Sequence, residues 1–237
     1  MENKLKDFTI NILKAKKVRP SIKHDYNDRK MYNHFDKSKI NPNDNDCNNF
    51  DKSKINPNDN GCNNFDKSKI IAWLEKYQIS KYQLVPDELY GYVVDVNGDV
   101  DLSNWNMEFI PVKFNIVKGY FDCSYNQLSD LEFSPKTIWL GFDCSNNKLT
   151  SLKNCPKFIS GVFSVKDNQI KNLEFIPEIV TDYFLCDNNP DLKEIQKIKD
   201  FKAIKKIHLE LKVLAEKEKL EENINLKSLQ HRNNLKL

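Results

Sequence analysis

The sequence predicts an α+β fold, a solenoid of short parallel β-strands carrying a helical cap at each end. Two observations predict it: five apolar columns recur at a spacing of 21 residues, and helical periodicity flanks them on both sides. The columns are Val100, Phe121, Phe142, Phe163 and Phe184; Leu102, Cys123, Cys144, Val165 and Cys186; Met107, Leu128, Leu149 and Ile170; Ile110, Leu131, Leu152 and Leu173; and Val117, Ile138, Ile159 and Val180 on the return side. A unit this short cannot bury an apolar face alone, so it has to stack on its neighbours.

Residues 1–30 form a basic N-terminal tail. Its stretch KLKDFTINILKAKKVRP sets Leu5, Phe8, Ile12 and Leu13 among lysines, which reads either as a loosely ordered tail or as an amphipathic helix. Residues 31–64 are a low-complexity segment in which FDKSKI units start at Phe35 and Phe50, with a third starting at Phe65. Each unit offers one Phe and one Ile, too little apolar surface to offset its ordering entropy, so a disordered linker is expected. The alternative is a repeated docking peptide that gains avidity by number. Residues 65–98 are expected to cap the solenoid with a helix (Ile70, Ile71, Trp73, Leu74) and a β-hairpin turning at Asn97-Gly98.

Residues 99–190 hold the repeats. In each unit the Phe and Cys columns point inward, so the alternate positions line the outer, concave side of the strands. An Asn column, Asn126, Asn147, Asn168 and Asn189, marks where the chain leaves the strand, and a buried Asn there can satisfy backbone groups of two adjacent turns. Pro135, Pro156 and Pro177 recur where the chain crosses the convex side in extended form. Residues 191–237 carry Ile195, Ile198, Phe201, Ile204, Ile207, Leu211 and Leu214 at three- to four-residue steps, a long amphipathic helix or helical hairpin closing the open end.

The pattern F-x-C-x-x-N-x-L-x-x-L in FDCSYNQLSDL and FDCSNNKLTSL resembles that of leucine-rich repeat proteins, specifically the short-repeat kind associated with bacteria, phages and large DNA viruses. The resemblance covers residues from about 65 to 195. It implies a leucine-rich repeat solenoid with its strands on the concave face, helical caps at both ends, and a role in binding other proteins; action on host proteins follows from it only by analogy. Trp105 in the first copy's Asn column and Asp191 in place of the last copy's apolar residue are the irregular end copies that capping predicts.

Little in the chain points to catalysis. Its four histidines, His24, His34, His208 and His231, lie outside the repeat register, and no phosphate loop, dinucleotide fingerprint or metalloprotease motif is present. No catalytic residue, cofactor or metal is therefore expected. Cys155 is the one candidate nucleophile, through an analogy with bacterial ubiquitin ligases that join a catalytic domain to similar repeats. Three of the six cysteines recur at one position that Val165 fills in another copy, which argues for packing rather than disulfides or zinc.

The net charge of +3 divides into Lys-rich ends and a more acidic repeat segment. That is a weak case for nucleic acid, and nucleic-acid or membrane-surface binding through the ends is kept as an alternative. No apolar run is long enough for a membrane span, and a cytoplasmic monomer is expected. The remaining surface is the concave one. There Asp101, Asp122 and Asp143 stack in one column, with Tyr120, Tyr125, Lys166 and Tyr183 nearby, and the expected ligand is a protein partner with a basic segment. Asp retained simply because it is exposed and harmless is the competing explanation.

Overall fold

The computed structural model describes residues 67–234, with side chains up to residue 224. The basic tail and the tandem-repeat linker lie outside the described residues. Helix α1 (Lys67–Lys76) buries Ile70, Trp73 and Leu74. Trp73 sits edge-on to Phe114 with ring centroids 6.3 Å apart, and Tyr77 meets Trp105 at 4.8 Å.

Strands β1 (Tyr82–Asp87) and β2 (Gly91–Val96) pair antiparallel, Tyr82 opposite Val96 and Asp87 opposite Gly91. Their hairpin turns at Glu88 to Tyr90 and not at Asn97-Gly98. The reason is local: Asp87 Oδ1 accepts hydrogen bonds from the Leu89 and Tyr90 amides, both at 3.0 Å, and Gly91 takes a left-handed φ of 68°. Asn97-Gly98 is instead the first of a series of corners. The chain passes there from one sheet to the other, as it does 21 residues later at Gly119, where an added Cβ would come within 2.4 Å of the Gly98 backbone.

Beyond this corner each turn of chain contributes one strand to each of two sheets. The five-stranded sheet is built from β3 (Val100–Asp101), β5 (Phe121–Asp122), β7 (Phe142–Asp143), β9 (Phe163–Ser164) and β11 (Phe184–Leu185). The second runs β1-β2-β4-β6-β8-β10, with β4 (Phe114–Val117), β6 (Thr137–Ile138), β8 (Phe158–Ile159) and β10 (Ile179–Val180). The strand pairings after the hairpin are parallel; β2 meets β4 with a register shift between Val94 and Val96, and from β4 on the partners keep the repeat spacing, Phe121 opposite Phe142 and Ile138 opposite Ile159. The chain is thus a parallel β-solenoid, and its return side is hydrogen-bonded into a sheet rather than merely extended.

The core lies between the sheets. Phe114, Phe121, Phe142, Phe163, Phe184 and Phe201 form a continuous file of rings with successive centroids 5.2, 5.8, 5.3, 5.3 and 6.4 Å apart. The first five are at most 1% exposed, and burying a Phe of this kind is worth roughly 1.5–3 kcal/mol. Cys123, Cys144 and Cys186 are buried free thiols, and burial drives those of Cys123 and Cys144 well above their ordinary pKa. They act as small apolar residues, as the Val165 substitution among them implies.

After a 3₁₀ turn (Pro190–Leu192) a single helix, α2 (Phe201–Asn234), follows, which resolves helix against helical hairpin. Asp200 Oδ1 accepts from the Lys202 amide at 3.0 Å, an N-cap. The last strands meet this segment: the Phe184 amide donates to Lys199 O at 3.1 Å, Gln196 Nε2 donates to Asn189 O at 2.7 Å, and Lys205 Nζ donates to Glu178 O. Phe201, Ala203, Ile204 and Ile207 of the helix are buried.

Candidate functional site

The four Asn of the repeat column are at most 9% exposed and form a ladder along the solenoid. Asn147 is typical: Nδ2 donates to Cys123 O, Cys144 O and Ser145 O at 3.0, 3.1 and 3.2 Å, and Oδ1 accepts from the Leu128 amide at 2.9 Å. Asn168 and Asn189 repeat these bonds one and two turns on. Asn126 accepts from both Trp105 N and Met107 N, which explains how the first turn manages with Trp105 where the other turns have Asn. The ladder holds each strand end in a fixed position relative to the next.

On that frame the strands place the acidic column. Asp101, Asp122 and Asp143 are direct partners across β3, β5 and β7, so they stand about 4.8 Å apart. Each carboxylate is gripped by the serine two residues on: Ser103, Ser124 and Ser145 donate both amide, at 2.9 to 3.0 Å, and Oγ, at 2.6 Å, to Oδ1. These bonds fix the orientation of the three carboxylates.

Their environments differ along the column. Asp101 is exposed, Asp122 half-buried and Asp143 only 9% exposed. Burial, then the charge of Asp143, hold the Asp122 carboxyl above the usual carboxylate range, against the two Ser124 hydrogen bonds that pull it down. Of the three, only Asp101 is exposed.

The tyrosines are distributed unevenly. Tyr120 is 41% exposed and its ring lies over Gly141, where an added Cβ would come within 2.8 Å of it. Tyr125, 59% exposed, occupies a left-handed position with φ of 55°, which Asn104, Asn146, Asp167 and Asn188 fill in the other turns. Asn and Asp tolerate this region far better than an aromatic residue does. Tyr125→Asn is accordingly expected to raise stability by about 1 kcal/mol, read as the shift in urea midpoint at constant slope. An unchanged or lower midpoint would mean that the ring makes compensating contacts.

Lys166 pairs with Asp187 at 3.6 Å, and Tyr183 bridges to Asp200, three strands from Tyr120. The structure thus brings Asp101, Tyr120, Asp122, Tyr125 and Asp143 together on one half of the sheet and sets Lys166 and Tyr183 on the other. Asp99, one repeat before Tyr120 in the same column, joins the first group; its Oδ1 accepts from the Tyr120 amide at 2.8 Å.

Cys155 is half-buried. Its Sγ donates to Phe175 O at 3.1 Å and burial pushes the thiol up to about 12, the opposite of what a nucleophile needs. Among the described residues no group of three His, Cys, Asp or Glu converges as metal ligands, and no helix is long and apolar enough to cross a membrane. Comparison of the chain with protein-family models, with curated proteins and with solved structures returns no match.

Proposed function

We propose that this chain is a non-enzymatic recognition module of the leucine-rich repeat type that binds a basic segment of another protein on the concave face of its five-stranded sheet. In this reading α1 with the hairpin, and the segment ending in α2, serve as the caps. The observation that carries it is the acidic file itself: three carboxylates in register, pre-oriented by serines, with the Asp122 carboxyl held above its usual range by burial and the Asp143 charge, a penalty that a bound Lys or Arg would relieve. Tyr120 and Tyr125 supply exposed aromatic surface beside it.

The test is calorimetric titration of the full chain with a Lys/Arg-rich peptide, native against Asp122→Asn with Asp143→Asn. Asn keeps an oxygen for the serine donors and removes the charge, with an amide NH2 in place of the second carboxylate oxygen. The double variant is expected to bind about tenfold more weakly or worse, and to be at least as stable as the native chain at neutral pH. Equal affinity in both, or no binding by either, would overturn the reading.

The pH dependence has a definite sign. Because folding raises the Asp122 pKa, its contribution to stability is gained as pH falls through the folded value and is complete below the unfolded one; at neutral pH it is absent. Peptide affinity should run oppositely, weakening over that same acid range as the carboxylate is protonated. The Asp122→Asn variant should lose this part of both dependences.

A further inference from the structure

The chain that precedes α1 contains a basic run with no acidic residue in it. Lys14, Lys16, Lys17, Arg19 and Lys23 fall between Asp7 and Asp25, and no other Asp or Glu interrupts them. The FDKSKI units that follow set an Asp before each pair of Lys, so they carry no comparable run. On the five-stranded sheet the distribution is the reverse. Asp99, Asp101, Asp122 and Asp143 lie in its first three turns beside the exposed Tyr120 and Tyr125, whereas Asp187 further on is paired with Lys166. One chain thus holds both an acidic face and a segment whose charge complements it.

Resting on the reading of the acidic file as a site for Lys and Arg, we propose that residues 14–23 of the same chain occupy that half of the face in cis, and that a partner's basic segment has to displace them. The connection is long enough. Residues 24–66 separate the run from Lys67 and can span up to roughly 150 Å, while β3 to β11 is four strand spacings, about 19 Å. The chain also enters the fold at the right end, because α1 packs through Trp73 on Phe114 and through Tyr77 on Trp105, at the first turn, where the file starts. Closing a longer loop adds little, since the entropy grows only with the logarithm of its length. A tether holds its segment at an effective concentration of about 1 mM, so a segment with a Kd of about 0.1 mM fills the face and weakens an external ligand about tenfold. At micromolar chain the same segment on a second copy is far more dilute, which favours occupancy in cis.

Fluorescence anisotropy of a labelled Lys/Arg-rich peptide titrated with the full chain tests this. A chain carrying Lys14→Gln, Lys16→Gln, Lys17→Gln, Arg19→Gln and Lys23→Gln is expected to bind the peptide about tenfold more tightly than the native chain. Lys37→Gln, Lys39→Gln, Lys52→Gln and Lys54→Gln together remove similar charge from the connection and should change affinity by less than about twofold. An equal gain in that control would mark a general charge effect and overturn the proposal. No gain in the five-Gln chain, with binding still lost on adding Asp122→Asn and Asp143→Asn, overturns occupancy in cis and leaves the acidic file standing as the site. A five-Gln chain that does not bind the peptide at all brings down the site itself. Sedimentation equilibrium separates cis from trans: the native chain is expected to stay monomeric, and self-association that disappears in the five-Gln chain would put the segment on a second copy and overturn the proposal.

Discussion

Asn147→Ala is expected to lower the stability of the solenoid by about 3 kcal/mol, a large loss for one exchange of small polar side chain. The figure follows from asking which backbone groups the change leaves without a partner. Cys123 O keeps the hydrogen bond from Asn126, Cys144 O keeps that from Asn168, and Ser145 O keeps the Tyr125 amide. Each of these carbonyls drops from two donors to one, a modest penalty. The Leu128 amide loses Asn147 Oδ1, the one acceptor it has, and an orphaned buried N–H costs roughly 1–3 kcal/mol. Asn147→Asp separates this account from simple loss of volume. Aspartate keeps an acceptor for Leu128 but turns a carboxylate toward three carbonyl oxygens, so it should be worse than alanine. Urea denaturation of both variants, beside exposed Lys148→Ala as control, decides it. If aspartate were the milder change, the acceptor role would dominate and the three donated bonds would contribute little.

The same ladder shows why much of this fold could be read from the sequence. A period of 21 residues with aligned apolar columns leaves stacking as the only way to bury them, and the Asn column then falls at the strand ends by register alone. The return-side sheet was less legible, because Thr137–Ile138, Phe158–Ile159 and Ile179–Val180 are two-residue strands, too short for any alternation to appear. The hairpin turn was misplaced because Asn97-Gly98 has the composition of a tight turn, while the actual one rests on local bonds from the Leu89 and Tyr90 amides to the Asp87 side chain, in a stretch without an Asn-Gly pair. In the site, the alignment of Asp101, Asp122 and Asp143 followed from the register. The burial of Asp143 and the left-handed backbone of Tyr125 did not, since both depend on what neighbouring turns place around them.

Phe142→Ala should cost about 3–5 kcal/mol and, more tellingly, divide the molecule into two unfolding units. Its ring is the middle link of the aromatic file, 5.8 Å from Phe121 and stacked on Phe163 at 5.3 Å. In a solenoid each turn is held by its own interior and by its two neighbours, so a cavity at one turn weakens the coupling between everything before it and everything after it. The chain carries natural reporters for the two sides: Trp73, Trp105 and Trp139 all precede Phe142, while α2, the dominant helix, lies beyond it. In the native chain, tryptophan fluorescence and helical ellipticity should trace one common urea transition. In Phe142→Ala they should separate, with ellipticity lost first, because the part before the cavity retains α1, the hairpin and the Trp73, Tyr77 and Trp105 contacts. Phe184→Ala is the internal comparison, since that ring sits at the last turn between Phe163 and Phe201. There the ellipticity midpoint should fall while the fluorescence midpoint stays near its native value, because only the C-terminal segment is uncoupled. Coincident transitions in Phe142→Ala would mean that the two sheets carry cooperativity past a missing ring, and that the hydrogen-bonded ladders rather than the aromatic file bind the turns together.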